Sequence, residues 1–288
     1  MAKTNKYGVR DLEQEFPNDQ KCLGFIFSAL HSKECSCGGH YSLIKGRKQY
    51  QCSKCRFQIA PLSGTIFHKS DTPLSLWFKA ILSFSNAKSG LSAKYLEREL
   101  NVTYKTAWRM LKLIRQSLGQ GKDKLKGKVE MDETWYGGRG KAGKDNEKLS
   151  EVMKKKAVIM GAIERGGSMK AQITPNARAR SVGKFLIENV QNDGTLLLTD
   201  GSNRYKIVVR IYDRKSVNHK KKEYARGEVH TNSIEGFWSH FKRSTKGTHK
   251  VISQKYLQSY LDGFVFHRGM RHNDRERFSS LMSALVHA

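Results

Sequence analysis

Apolar residues change their rhythm along this chain, and the changes mark its segments. Residues 74–118 repeat apolar positions at helical spacing. Within them, Ser92 is placed to cap a helix running to Leu100, with Leu96 and Leu100 inward. Asn101-Val102 makes a short turn, and Thr103 caps a second helix with Ala107, Leu111 and Ile114 on its apolar face. The breaker-rich stretch GQGKDKLKGK at 119–128 reads as a linker. Beyond it the pattern turns to short apolar runs separated by turn residues. VEMDETWY (129–136), KAVIMGAIE (156–164), SMKAQIT (168–174), TLLLTD (195–200) and KIVVRIY (206–212) read as strands. SVGKFLIENVQ (181–191), NSIEGFWSHFKRST (232–245) and SQKYLQSYLDGFVFHR (253–268) carry helical periodicity. The order β-β-β-α-β-β-α with a trailing helix predicts an α+β or α/β domain, a mixed sheet flanked by helices.

Charge narrows the choice of partner. The 288 residues hold 53 Lys and Arg against 26 Asp and Glu, a formal net charge of +27. Residues 1–120 carry 19 basic and 8 acidic residues, so the excess is not a detachable arm. The densest basic run, 202–230, lies between two acids of interest, Asp200 and Glu235. A polyanion is the expected partner, DNA, RNA or an acidic membrane surface, and an excess spread over the whole chain favours nucleic acid. No apolar stretch approaches the length of a membrane span, no apolar signal core opens the chain, and the basic residues do not gather on one amphipathic helix. A cytoplasmic protein with no membrane partner is expected.

Four of the five cysteines form two close pairs, Cys35/Cys37 and Cys52/Cys55. Four thiolates on two turns in an unsecreted chain predict a structural zinc ion. The first pair is one residue short of the usual C-x-x-C, which leaves His31, His40 or Cys22 open as a substitute for Cys35.

The exposed face of the second helix of the pair presents Lys105, Thr106, Arg109 and Lys112, the arrangement of a helix that enters a DNA major groove. Three acids stand out further on. Asp132 interrupts an apolar strand, Asp200 ends another, and Glu235 opens a helix. An acid inside a strand is costly unless paired or metal-bound. If the strands are neighbours and the helix crosses their ends, the carboxylates converge on a site suited to Mg²⁺ or Mn²⁺. Glu133 should face away from Asp132.

The segments MDETWYGG from Met131, LTDG from Leu198 and HTNSIEGFWSHFKR from His230 resemble the DDE transposases of bacterial insertion sequences, in particular the ISXO-type group. QCSKCRFQ from Gln51, SGTIFH from Ser63 and PLSLWFKAI from Pro73 are similar to the N-terminal zinc ribbon of that group. The resemblance covers roughly residues 20–270 and implies a zinc ribbon at 20–70 and an RNase H-like catalytic core at 129–270; the helical stretch at 74–118 reads as a helix-turn-helix DNA-binding segment and 271–288 as a C-terminal tail. It implies Mg²⁺- or Mn²⁺-dependent cutting at terminal inverted repeats, joining to target DNA, and a homodimer or higher synaptic oligomer acting at the bacterial nucleoid. Asp132, Asp200 and Glu235 match the acidic triad. Lys242, with Arg243 beside it, matches the basic position that contacts DNA near the site. Asn232 matches a position counted as an alternate or supporting ligand, and His219 and His230 are candidates to orient water or phosphate. The helix at 253–268 departs from the group's pattern at Gly263, His267 and Gly269. A DNA-binding transcription regulator, a different RNase H-like nuclease and a catalytically decayed transposase remain alternatives. Only a transposase makes joined DNA.

Overall fold

The computed structural model describes residues 6–137, 156–270 and 273–287. The stretch 138–155, inside the expected catalytic core, lies outside the described residues. The chain divides into two compact units, one formed by residues up to 118 together with the segment from 270 on, the other by 119–269.

In the first unit two helices, α1 (Val9–Glu15) and α2 (Asp19–Leu30), precede a small antiparallel sheet, β1 (Tyr41–Leu43), β2 (Tyr50–Cys52) and β3 (Gln58–Ile59). Helix α3 (Leu74–Asn86) then buries Trp77, Phe78 and Ile81. Helices α4 (Ala93–Leu100) and α5 (Tyr104–Gln116) follow with the predicted caps: Ser92 Oγ accepts from the Tyr95 amide and Thr103 Oγ1 from the Thr106 amide. Asn101 sits between them in the left-handed region, φ 50°, which Asn tolerates because its side chain is short and polar.

The expected C-terminal tail is corrected. Residues Asp274–Val286 form a helix, α9, that packs in the first unit against α3 and α2. Its Arg277 is wholly buried, and the guanidinium donates to the Ser85 carbonyl and to Asp274 Oδ1. Phe278, Leu281 and Leu285 recur at helical spacing and are buried around it.

The second unit is built on a five-stranded sheet with the order β6-β5-β4-β7-β8. Its strands are β4 (Lys128–Tyr136), β5 (Ala157–Glu164), β6 (Met169–Thr174), β7 (Leu196–Asp200) and β8 (Asp213–Val217). β4, β5 and β6 form an antiparallel meander, whereas β7 and β8 run parallel to β4. One face packs on α6 (Ala179–Asn189) through Val129, Met131, Leu197, Val182 and Phe185. The other packs on α7 (Asn232–Ser244) and α8 (Gln254–Gly269) through Ile159, Ile163, Trp238, Phe241 and Leu261. A short hairpin, β9 (Ala225–Arg226) and β10 (Val229–His230), leads into α7.

One more expectation changes. KIVVRIY is not a strand: residues Asn203–Arg210 form a 3-10 helix, and the sheet position beside β7 is filled by 213–217. Tyr205, Val208 and Tyr212 turn inward at roughly helical spacing and join the α6 cluster, while Ile207 and Val209 are exposed. Packing thus overrides the β-branched composition. The linker at 119–128 begins where the two units divide, but it is packed onto the second unit rather than loose. The Leu125 side chain is buried, its backbone pairs with Val190, and the Gln120 amide donates to Asp262 and to the Ala171 carbonyl.

Candidate active site and thiol cluster

The site begins with β4, the central strand. Val129, Met131 and Glu133 face α6, so Glu130, Asp132 and Thr134 face α7 by the two-residue alternation of a strand. β4 pairs in parallel with β7, with Glu130 opposite Leu198. The β4–β7 pairing ends there, and Asp132 and Asp200 each lie two residues beyond it, near enough for the Asp200 charge to act on Asp132. On its other side Asp132 pairs with Gly161 of β5. A Cβ at Gly161 would lie 2.7 Å from Trp238 Cζ2 and 3.2 Å from Ile234 Cδ1. The missing side chain lets α7 lie down on the sheet beside Asp132, and α7 carries Glu235.

The electrostatics reflect this gathering. Burial first, then the neighbouring charges of Glu133, Asp200 and Glu235, push Asp132 from the ordinary carboxylate range up to about 7. Asp200 Oδ1 accepts from the Ser202 amide at 3.0 Å, which fixes the turn after β7. Glu235 Oε1 accepts from the Thr231 hydroxyl at 2.6 Å and lies 3.7 Å from His219 Nε2. The three acids share a field without closing into a tight cluster. Among the described residues, only the four thiols bring three or more ligand atoms of His, Cys, Asp or Glu within 4.8 Å of one another. The donor set is nonetheless the hard, all-oxygen kind that suits Mg²⁺ or Mn²⁺, and Asp132 at about 7 marks an anionic pocket short of positive charge.

The other candidates are distributed around this centre. His219 stands next to Glu235, and its ring stacks obliquely on Tyr224 at 5.3 Å. His230 lies apart in a different network, its Nδ1 2.9 Å from Arg165 Nη2 and 3.4 Å from Glu130 Oε1. Asn232 is exposed at the first residue of α7, and Lys242 and Arg243 are exposed on its last turn. Glu133 does face away: it accepts from the Tyr205 hydroxyl and from Arg204. On α5, Lys105 and Arg109 are exposed, while Thr106 and Lys112 are half-buried. Lys112 Nζ lies over the Trp108 ring, 5.5 Å from its centroid.

Sequence reasoning missed Glu130. It is fully buried, yet its carboxylate accepts from Arg165 Nε (2.8 Å), the Ser233 amide (2.8 Å) and hydroxyl (3.1 Å), and the Ile234 amide (3.2 Å). The signal was present: Glu130 lies two residues before Asp132, on the same face of the same apolar strand.

In the first unit the four thiols come together. Cys35 Sγ is 3.7 Å from Cys55 Sγ, and Cys37 Sγ is 3.5 Å from Cys52 Sγ. The short first pair closes because two glycines follow it. Gly38 takes φ 78°, and a Cβ on Gly39 would lie 2.6 Å from Cys52 Sγ. The Cys37 backbone amide, then the Tyr41 hydroxyl, lower the Cys35 thiol to about 6. None of His31, His40 and Cys22 joins the four thiols, and Cys22 is buried in α2, where burial raises its thiol to about 12.

The strand order, with three antiparallel strands and two parallel ones beside the first, is RNase H-like and defines the class of the core. Residues 124–268, just over half of the chain, match the model of the ISXO2-like transposase domain, and the chain belongs to that family. It is 26% identical over 241 residues to a protein described as uncharacterized in the transposable element ISH50 of Halobacterium salinarum, covering 79% of this chain and 81% of that protein. Among solved structures it aligns with a pre-cleavage Mos1 transpososome at 11% identity, over 72% of this chain and 78% of that one, with a TM-score of 0.30. It also aligns with the Mos1 mariner paired end complex with Mn at 8% identity, over 72% and 75%, with a TM-score of 0.27. Likeness that low adds nothing to the fold read from the sheet order. No helix among the described residues is long and apolar enough to cross a membrane.

Proposed function

We propose that this transposase acts on DNA at the ends of its element, hydrolysing the phosphodiester there and joining the freed 3′-hydroxyl to target DNA. The observation that supports this most is that Asp132 and Asp200 each lie two residues past the last β4–β7 pair, with α7 and its Glu235 packed on the sheet beside Asp132, whose carboxyl burial and acidic neighbours raise to about 7. Asp132, Asp200 and Glu235 would hold Mg²⁺ or Mn²⁺ through carboxylate oxygens. Such a bound ion would activate an attacking oxygen and stabilise the leaving one. The chain's own residues set the stage. Thr231 orients Glu235 through its hydroxyl, the Ser202 amide orients Asp200, and His219 stands where it would orient water or a phosphate oxygen. Each reaction is an in-line displacement that breaks one P–O bond and forms another, so no covalent protein intermediate is required.

The remaining parts support DNA handling. Lys105, Thr106, Arg109 and Lys112 lie on the outer side of α5, the second helix of a helix-turn-helix, where they would meet a major groove. Lys242 and Arg243 extend from α7, away from its apolar face, toward a DNA backbone. Cys35, Cys37, Cys52 and Cys55 would hold structural Zn²⁺, which ties β1 and β2 to the turns around them. The protein would work as a homodimer or higher synaptic oligomer, in the bacterial cytoplasm at the nucleoid. The test is incubation with a duplex carrying the element end, a plasmid target and Mn²⁺. Joined product supports the proposal. Binding without joining would favour a regulator or a decayed enzyme.

A further inference from the structure

Two buried acids flank Asp132 on β4, and neither belongs to the proposed metal-holding set. Glu133 leads by hydrogen bonds to Asp200, and Glu130 bonds the first turn of the helix that carries Glu235. Glu130 reaches across the sheet to the start of α7 and accepts from the Ser233 and Ile234 amides. These are amides that an N-cap side chain would ordinarily satisfy. Thr231 occupies the N-cap position and makes no side-chain cap bond. Its hydroxyl is therefore left to donate to Glu235 Oε1 at 2.6 Å. Arg165 neutralises Glu130 and also donates to the Glu228 and His230 carbonyls, which ties the hairpin before α7 to the same anchor.

Glu133 works on the opposite face. It accepts from Arg204 and from the Tyr205 hydroxyl. Arg204 Nε donates to Ser202 Oγ at 2.9 Å, and the Ser202 amide donates to Asp200 Oδ1 at 3.0 Å. The chain of hydrogen bonds thus runs from β4 to the turn that holds the Asp200 carboxylate.

We propose that Glu130 and Glu133 are positioning residues: Glu130 seats α7 and frees Thr231 to orient Glu235, and Glu133 seats Asp200 through Arg204 and Ser202. Through its two neighbours, the strand that supplies Asp132 also places the other two acids. This rests on the reading of Asp132, Asp200 and Glu235 as the metal-holding set.

The test uses the full-length protein with two readouts against Mn²⁺ concentration: the Mn²⁺-induced rise in Tm, which reports binding without turnover, and the rate of nicking of supercoiled plasmid. In Glu130→Gln and Glu133→Gln, half-saturating Mn²⁺ should rise about tenfold or more, as when groups that orient metal ligands are removed. Nicking at saturating Mn²⁺ should stay near wild type. Val182→Ala, which opens a cavity between α6 and the sheet, serves as a destabilised control whose Mn²⁺ dependence should not move. An unchanged Mn²⁺ dependence in both Gln variants, or an equal rise in Val182→Ala, overturns the proposal. Should Glu130→Gln fail to fold, Ser233→Ala and Ser202→Ala probe the two limbs separately and should shift Mn²⁺ dependence in the same direction. Asp132→Asn separates the two levels: nicking retained in that variant sinks the metal-site reading itself, whereas nicking lost in it with normal Glu130→Gln and Glu133→Gln sinks only the positioning role.

Discussion

Asp132 is the residue where burial and function pull against each other most. Its carboxyl titrates at about 7, against an ordinary value near 4, because burial and three neighbouring acids oppose its charge. Between those values the folded state binds a proton that the unfolded state does not, so metal-free protein loses stability as pH rises from about 4 to 7. At about 1.4 kcal/mol per unit the loss amounts to about 2–4 kcal/mol and is complete above pH 7. Asp132→Asn should therefore melt higher than wild type at pH 8 without divalent metal, and should lack the rise in Tm that Mn²⁺ is expected to give wild type. Thermal melts at pH 5 and pH 8, with and without Mn²⁺, check both effects. Gly39 makes a second claim at this scale. Gly39→Ala should lower zinc content below one per chain, since its methyl would collide with Cys52 Sγ. Metal analysis of purified protein reads this directly.

Among the elements, α7 is the one whose placement decides the site. It lies close to the sheet because Gly161 has no side chain beneath Trp238 and because Glu130 holds its first turn. Gly161→Ala should cost about 1–3 kcal/mol through overpacking, measured by denaturant unfolding, and should reduce joining further by lifting Glu235 away from Asp132. The sequence showed that α7 is a helix and that Asp132, Asp200 and Glu235 sit on two strands and a helix. Local pattern cannot tell which strands are neighbours, and that question decides whether the acids meet. The role of Glu130, though not its place on the face of Asp132, was hidden for the same reason, because its partners on α7 are about a hundred residues away. Arg277 was hidden likewise, in a segment read as a tail. KIVVRIY misled because β-branched residues favour a strand, while Tyr205, Val208 and Tyr212 found their partners on α6. The two helices α4 and α5 were legible to the residue, since their caps are local.

Over the whole molecule the charge of +27 acquires a place. Nine bases in 202–230 follow Asp200 and precede Glu235, so two acids of the site bracket in sequence the most basic stretch of the chain. DNA affinity should fall steeply as salt rises from 50 to 200 mM, and replacing Lys105, Arg109 and Lys112 together by Ala should flatten the dependence of log K on log salt by about 3, one for each phosphate no longer neutralised. Fluorescence anisotropy with a labelled duplex measures that slope. The central claim is that Asp132, Asp200 and Glu235 together perform DNA joining. It is tested most directly by strand transfer in Mn²⁺ with a duplex carrying the element end, comparing wild type with Asp200→Asn. Joined product from wild type, with end binding kept and joining abolished in Asp200→Asn, is the result predicted. Joining that survives in Asp200→Asn would contradict the account.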